Sequence, residues 1–178
     1  LFPARITSWK GQLEFIDVIK KMDTQNILVL FAGDTKNKSY TKLVRDKIEQ
    51  NNLKHVCKIL GSVNQDEMRS LYQLANLSVS FPLRAEGFGR TISESLYSQT
   101  PVLAFDYGGV KNQLANLSDM FKVKPQDFQV LPAKIEKLLS LSEVEKKEAL
   151  EGVQSVIESN FSKINMVNQY LKLYESIK

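Results

Sequence analysis

Apolar, β-rich runs recur along the chain at Leu1–Ile6, Ile27–Ala32, Val56–Leu60, Leu77–Phe81, Val102–Phe105 and Met120–Val123. Between them, apolar positions spaced three and four apart predict helices over Gly11–Met22, Thr35–Asn51, Asp66–Ala75, Arg90–Ser98 and Lys111–Leu117. Continuous apolar strands alternating with amphipathic helices mark βαβ units, because a parallel sheet is covered on both faces. The pattern predicts an α/β fold: a Rossmann-like, doubly wound, mostly parallel six-stranded sheet with helices on both faces. From Gln126 onward the periodicity is helical, over Asp127–Leu139, Ser142–Ser159 and Ser162–Ile177, with Ser162 placed to cap the last. Without a linker, repeat or low-complexity stretch, residues 1–178 read as one domain.

The segment Glu86 to Glu94 stands apart from this regular pattern. It sets two carboxylates and the glycines Gly87 and Gly89 directly after a buried strand and at the start of a helix. Glycines let a backbone approach a ligand without a Cβ in the way, and a helix start offers free N–H groups with the positive end of a dipole. If Thr91–Ser98 is helical, Ile92 and Leu96 face the core, while Glu94 lies about 200° around from Ile92 and points away. Such a turn suits a sugar nucleotide better than it suits packing.

Seven of the eight glycines follow a predicted strand: Gly11, Gly33, Gly61, Gly87, Gly89, Gly108 and Gly109. Gly152 is expected inside a helix. In an open α/β sheet the loops after the strands gather on one edge, where ligands bind, so the backbone is expected to be close and flexible there. Arg5, at the expected end of the first strand, and Lys10, at the expected start of the next helix, bring positive charge to the same edge. An Arg forks two phosphate oxygens and a Lys adds a point charge, which would stabilise a departing diphosphate.

Composition narrows the chemistry. One cysteine, Cys57, excludes an internal disulfide and fits a reducing compartment, where it is expected as a buried structural thiol. With a single histidine, His55, read as structural, a conventional zinc site or Cys–His couple is not credible. The net charge of +4 is mild, and the lysines between Lys36 and Lys58 read as a solvated helix face. No recognition module or aromatic–basic platform points to nucleic acid, and no apolar run reaches membrane-span length. Peripheral contact with an anionic membrane stays open as an expectation.

Rival motifs are incomplete. Asp-x-Asp does not occur, Ile92 stands where a dinucleotide fingerprint needs its third glycine, and no phosphate-loop lysine follows. A glycosidase could use two carboxylates, yet nothing else here builds a polysaccharide cleft.

Taken in order, several segments carry a family resemblance: Ala4–Ile6, Lys10–Gly11, Leu60–Val63, Phe81–Pro82, the Glu-x(7)-Glu pair Glu86/Glu94, Thr100–Val102, Tyr107–Val110 and Phe161–Ser162. Together they resemble the C-terminal, nucleotide-sugar-binding domain of retaining glycosyltransferases with the GT-B fold, in the large family four. The resemblance implies that Arg5 and Lys10 hold the diphosphate and that Glu94 accepts the two ribose hydroxyls. It implies Glu86 beside the transferred sugar, with Gly87, Phe88, Gly89 and Thr91 lining the donor seat and Gly61, Ser62 and Val63 bordering the base. Asn112 stands where the family commonly has an acidic residue.

The same resemblance implies no metal or other cofactor, a glycan or glycolipid acceptor, and an N-terminal acceptor domain of the same enzyme that this chain lacks. The chain opens without Met inside a predicted strand, and is expected to be inactive alone. The segments Trp9–Gln12 and Gly87–Arg90 also look like the lipopolysaccharide-core mannosyltransferase branch, which implies GDP-mannose as donor. The implied location is cytoplasmic, with contact at the inner membrane face. The alternative that the residues leave open is a non-catalytic Rossmann-like domain for nucleotide binding or assembly.

Overall fold

Phe2 and Pro3 form the first strand, β1, and its shortness shapes the sheet. Pro3 has no N–H to give to a ladder, and the Ala4 N–H turns back onto the Phe2 carbonyl at 3.1 Å. The expected strand Leu1–Ile6 is therefore two residues long, and Arg5 lies in the loop after it. The computed structural model describes residues 1–177. Among these the remaining strands are β2 (Val29–Ala32), β3 (Cys57–Gly61), β4 (Ser78–Ser80), β5 (Val102–Phe105) and β6 (Lys122–Val123).

Every pairing is parallel, as β1-β2-β3 in one three-stranded sheet and β4-β5-β6 in another. This corrects the single six-stranded sheet. The two sheets meet where β1 runs beside β4: the Val79 N–H donates to the Leu1 carbonyl at 2.9 Å, and the Leu1 nitrogen donates to the Leu77 carbonyl at 2.7 Å. With Pro3 unable to donate, that seam is too thin for a regular ladder. Read across it the order is 3-2-1-4-5-6, the doubly wound order, and its switch point lies between β1 and β4.

Helices α1 (Gln12–Ile19), α2 (Lys38–Gln50), α3 (Gln65–Leu74), α4 (Arg90–Tyr97), α5 (Val110–Leu114) and α6 (Leu131–Leu139) cover the sheets. A string of phenylalanines crosses the seam and binds the halves into one core. Ring centroids are 5.4 Å apart for Phe2–Phe15, 5.5 Å for Phe15–Phe81 and 5.2 Å for Phe81–Phe105. Tilted aromatic pairs of this kind add about 0.5–1.5 kcal/mol each beyond their burial.

Three predicted elements differ. The helix expected from Asp127 begins at Leu131, because Pro132 fits only the first turn of a helix, and Phe128 instead packs on Phe105 at 5.1 Å. Ahead of β6, Asp119–Phe121 form a 3-10 turn capped by Ser118. The helix expected over Ser142–Ser159 is broken into α7 (Glu143–Ala149) and α8 (Val153–Phe161) by Gly152, whose φ of +72° is left-handed. Gly152 thus sits at a junction and not inside a helix. Ser162 caps α9 (Lys163–Ser176) as expected, accepting from the Asn165 N–H at 3.2 Å.

Candidate functional site

A cleft of about 610 Å³ opens where the loops after β1 and β4 face each other. That is the switch point of the sheet order, the place where open α/β sheets hold their ligands. Arg5, Lys10, Val63, Glu86, Gly87, Phe88, Gly89, Thr91 and Glu94 all line it. Gly61 and Ser62 lie outside its lining, and the chain after β3 reaches it through Val63, Asn64 and the first residue of α3, Gln65, instead. Gly61 ends β3, and its carbonyl accepts the Gly33 N–H at 2.9 Å, so it serves the sheet edge.

The cationic flank is held by backbone. Gln12 Nε2 donates to the Arg5 carbonyl at 2.8 Å and the Ile6 N–H to the Asp34 carbonyl at 2.9 Å, leaving the Arg5 side chain exposed. Lys10 closes a turn through its N–H to the Thr7 carbonyl at 3.0 Å. Its Nζ stands 4.3 Å from the centroid of the Trp9 ring and forms an ion pair with Glu86. Lys10 thus lies two positions ahead of α1, with Gly11 between them as the Ncap.

The acidic flank is the loop from Glu86 to Gly89, which is pressed between two neighbours. The Gly109 N–H donates to the Glu86 carbonyl at 2.8 Å, and a Cβ on Gly109 would lie 1.9 Å from the Gly87 carbonyl oxygen. On the other side the buried amide of Gln113 donates to the Phe88 carbonyl and accepts from Ser93 Oγ at 2.5 Å. Phe88 also rests edge-on against Phe161, with centroids 5.6 Å apart. The Tyr107 hydroxyl donates to the Pro82 carbonyl; burial and then the Glu86 charge raise its pKa, which keeps it a donor.

These contacts correct the reading of the glycines. A Cβ on Gly11 would lie 2.2 Å from the Phe81 carbonyl oxygen, and one on Gly33 would lie 2.1 Å from that of Ala4. Gly11, Gly33, Gly108 and Gly109 are small because chain packs on chain, and not to make room for a ligand. Gly87 differs: among the described residues nothing lies within 4 Å of a Cβ built there, and it lines the cleft.

Glu94 stands exposed on α4 while Ile92 and Leu96 are buried, as helical geometry requires. Its Oε2 accepts from the Tyr72 hydroxyl at 3.0 Å. Tyr72 is buried, and its pKa is raised first by burial and then by the Glu94 charge, so the phenol stays protonated. Since α4 begins after Gly89, an Ncap without a side chain, its first N–H groups face the turn.

Sequence reasoning gave no site role to Trp9, Met68, Tyr72 or Arg90, which also line the cleft, although Trp9 and Arg90 lie in segments that carried the branch resemblance. A signal existed for two of them: Met68 and Tyr72 are four apart and share one face of α3. Asn64 has its side chain committed to a capping box with Glu67. Cys57 is buried, His55 is exposed ahead of β3, and Asn112 lies on α5 outside the lining. Among the described residues no three His, Cys, Asp or Glu side chains cluster as a metal site, and no helix is long and apolar enough to cross a membrane.

A doubly wound α/β fold with a charged cleft at its switch point is the class of protein this architecture defines. The chain belongs to the family described as glycosyl transferases group 1, whose sequence model matches residues 1–151. It is 27% identical over 182 residues to a trehalose synthase of Thermococcus litoralis, covering 97% of this chain and 43% of that protein. The structure of a glycosyltransferase from Rickettsia africae matches with a TM-score of 0.90 and 28% identity, over 99% of this chain and 46% of that one. Anabaena HepE in complex with UDP-glucose matches with a TM-score of 0.86 and 22% identity, over 98% of this chain and 48% of that one. The fold is thus the Rossmann-like half of a GT-B glycosyltransferase. The chain spans a little under half the length of each of these proteins.

Proposed function

We propose that this chain is the donor-binding half of a glycosyltransferase, which takes a nucleoside-diphosphate sugar and transfers its sugar with retention to a glycan or lipid-linked acceptor. The observation that carries the reading is the convergence of Arg5, Lys10, Glu86 and Glu94 on one cleft at the switch point. Its volume of about 610 Å³ is in the range of small-molecule sites. Glu94 accepts the ribose hydroxyls as an acceptor-only group, and Arg5 and Lys10 take the diphosphate. The first turn of α4 adds N–H groups at the sugar end.

Breaking the sugar–phosphate bond builds charge on the leaving diphosphate, and the two cations stabilise it without a resident metal. The acceptor oxygen attacks the same face of the sugar, and its proton passes to the departing phosphate oxygen. Glu86 positions sugar hydroxyls; it is paired with Lys10, so a diphosphate that recruits Lys10 frees the Glu86 carboxylate for the sugar. Acceptor contacts and much of the water exclusion come from a second domain of the complete enzyme.

Calorimetric titration with UDP-, GDP- and ADP-sugars tests the reading, beginning with UDP-glucose, held by the Anabaena protein, and GDP-mannose. Saturable binding that drops at least tenfold in Glu94→Ala is expected, as for a lost hydrogen bond to a charge. No binding across the panel would overturn it.

A further inference from the structure

We infer that Tyr72 is a positioning residue for the ribose end of the donor seat: its buried hydroxyl holds one oxygen of Glu94 and leaves the other to accept from ribose. This rests on the donor reading of the cleft. An exposed glutamate on a helix ordinarily samples many rotamers, and a contact it makes must overcome the cost of ordering it. Glu94 is instead fixed by the hydroxyl of a residue on a different helix, Tyr72, which is 2% exposed.

Tyr72 is itself held. Thr100 Oγ1 donates to the Tyr72 carbonyl at 2.6 Å, and Ser95 Oγ donates to the Thr100 carbonyl at 3.2 Å. Ser95 and Thr100 are both buried. Ser95 follows Glu94 in α4, so the hydrogen bonds close a ring: Ser95 to Thr100, Thr100 to Tyr72, Tyr72 to Glu94. A ring that ties α3, α4 and the turn before β5 fixes the carboxylate before any ligand arrives, which is how a preorganised contact gains affinity. The raised pKa of the phenol, caused first by burial and then by the Glu94 charge, supports this, because it keeps the hydroxyl a donor near neutral pH.

The test compares UDP and GDP with their 2′,3′-dideoxy counterparts, by calorimetry on the 178-residue chain and its variants. The parent chain should bind the ribonucleotide that fits at least tenfold more tightly than its dideoxy form. Tyr72→Phe keeps the ring and loses the hydroxyl; it should shrink that ratio to about threefold or less while leaving dideoxy binding unchanged. A parent-like ratio, or an equal loss for both nucleotides, makes Tyr72 merely structural and overturns the inference while sparing the donor reading. If Tyr72→Phe fails to fold, Thr100→Val decides, since it keeps the buried shape, leaves Glu94 intact and removes the hydroxyl that holds the Tyr72 carbonyl. The same collapse of the ratio is expected there, and a parent-like ratio overturns the inference. A parent chain that binds neither nucleotide, or does not discriminate, brings down the donor reading and this inference with it.

Discussion

Lys10 and Glu86 are 76 positions apart and form an ion pair inside the cleft, with side chains only 14% and 10% exposed. The pair joins the loop after β1 to the loop after β4, so it spans the switch point. It also sets a competition, because the cation proposed to take a diphosphate already has an anionic partner.

That competition has a measurable sign. Glu86→Gln removes the competing charge while keeping the shape, so inorganic pyrophosphate should bind this variant about threefold to tenfold more tightly than the parent chain. Calorimetry with pyrophosphate reads it directly. Unchanged or weaker binding would mean that Lys10 is not an anion contact.

The glycines of the site should separate by role. Gly109→Ala drives a Cβ to 1.9 Å from the Gly87 carbonyl oxygen, so the loop from Glu86 to Gly89 must move. A loss of about 2–4 kcal/mol is expected by denaturant titration, with nucleotide binding lost as well. Gly87→Ala meets open space and should stay within about 0.5–1 kcal/mol of the parent, yet bind nucleotide sugar less tightly. If both variants were equally stable, the packing account of Gly109 would be wrong.

Trp9 is the single tryptophan of the chain and lines the cleft beside Lys10. Its emission should change as a nucleotide sugar saturates the protein, with the same midpoint as calorimetry, and the signal should vanish in Trp9→Phe. Binding detected by heat with a silent tryptophan would place the ligand elsewhere.

Alkali should destabilise the fold. Burial raises the Cys57 thiol from 9.0 to about 11 and the Tyr40 phenol from 10.0 to about 12, the charge of Glu14 adding to the second. Above pH 9 the unfolded chain releases protons that the folded one retains, so stability falls as pH rises. For Cys57 the fall runs from pH 9 to about 11, and for Tyr40 from 10 to about 12. Denaturant midpoints between about pH 8 and pH 11 should decline, and less so in Cys57→Ala. A midpoint flat across that range would contradict the burial argument for both groups.

The elements themselves were largely legible. Strand and helix periods located β2 to β5 and α1 to α4 within a few residues, because their apolar positions face one core. Glu94 was legible too, since two buried neighbours on a helix fix the direction of the residue between them. What misled was local. Pro3 truncated β1, Pro132 delayed α6, and Gly152 split a helix, each through a backbone effect that hydrophobic pattern does not register.

The glycines show the boundary most clearly. Their place after the strands could be read in order, but whether each faces a ligand or another backbone depends on carbonyl oxygens far along the chain. Gly109 meets Gly87, and Gly11 meets Phe81. The same holds for Tyr72, whose phenol lies 22 positions from the carboxylate it holds.

Sequence alone determined the α/β class, the family and the charged residues that flank the cleft, because period and local motif are properties of neighbours in the chain. Tertiary structure alone decided that Lys10 pairs with Glu86, that Tyr72 holds Glu94, and that Gly11, Gly33, Gly108 and Gly109 pack on backbone. Those contacts join residues from separate elements far apart in the chain, and only the packed order 3-2-1-4-5-6 brings them together.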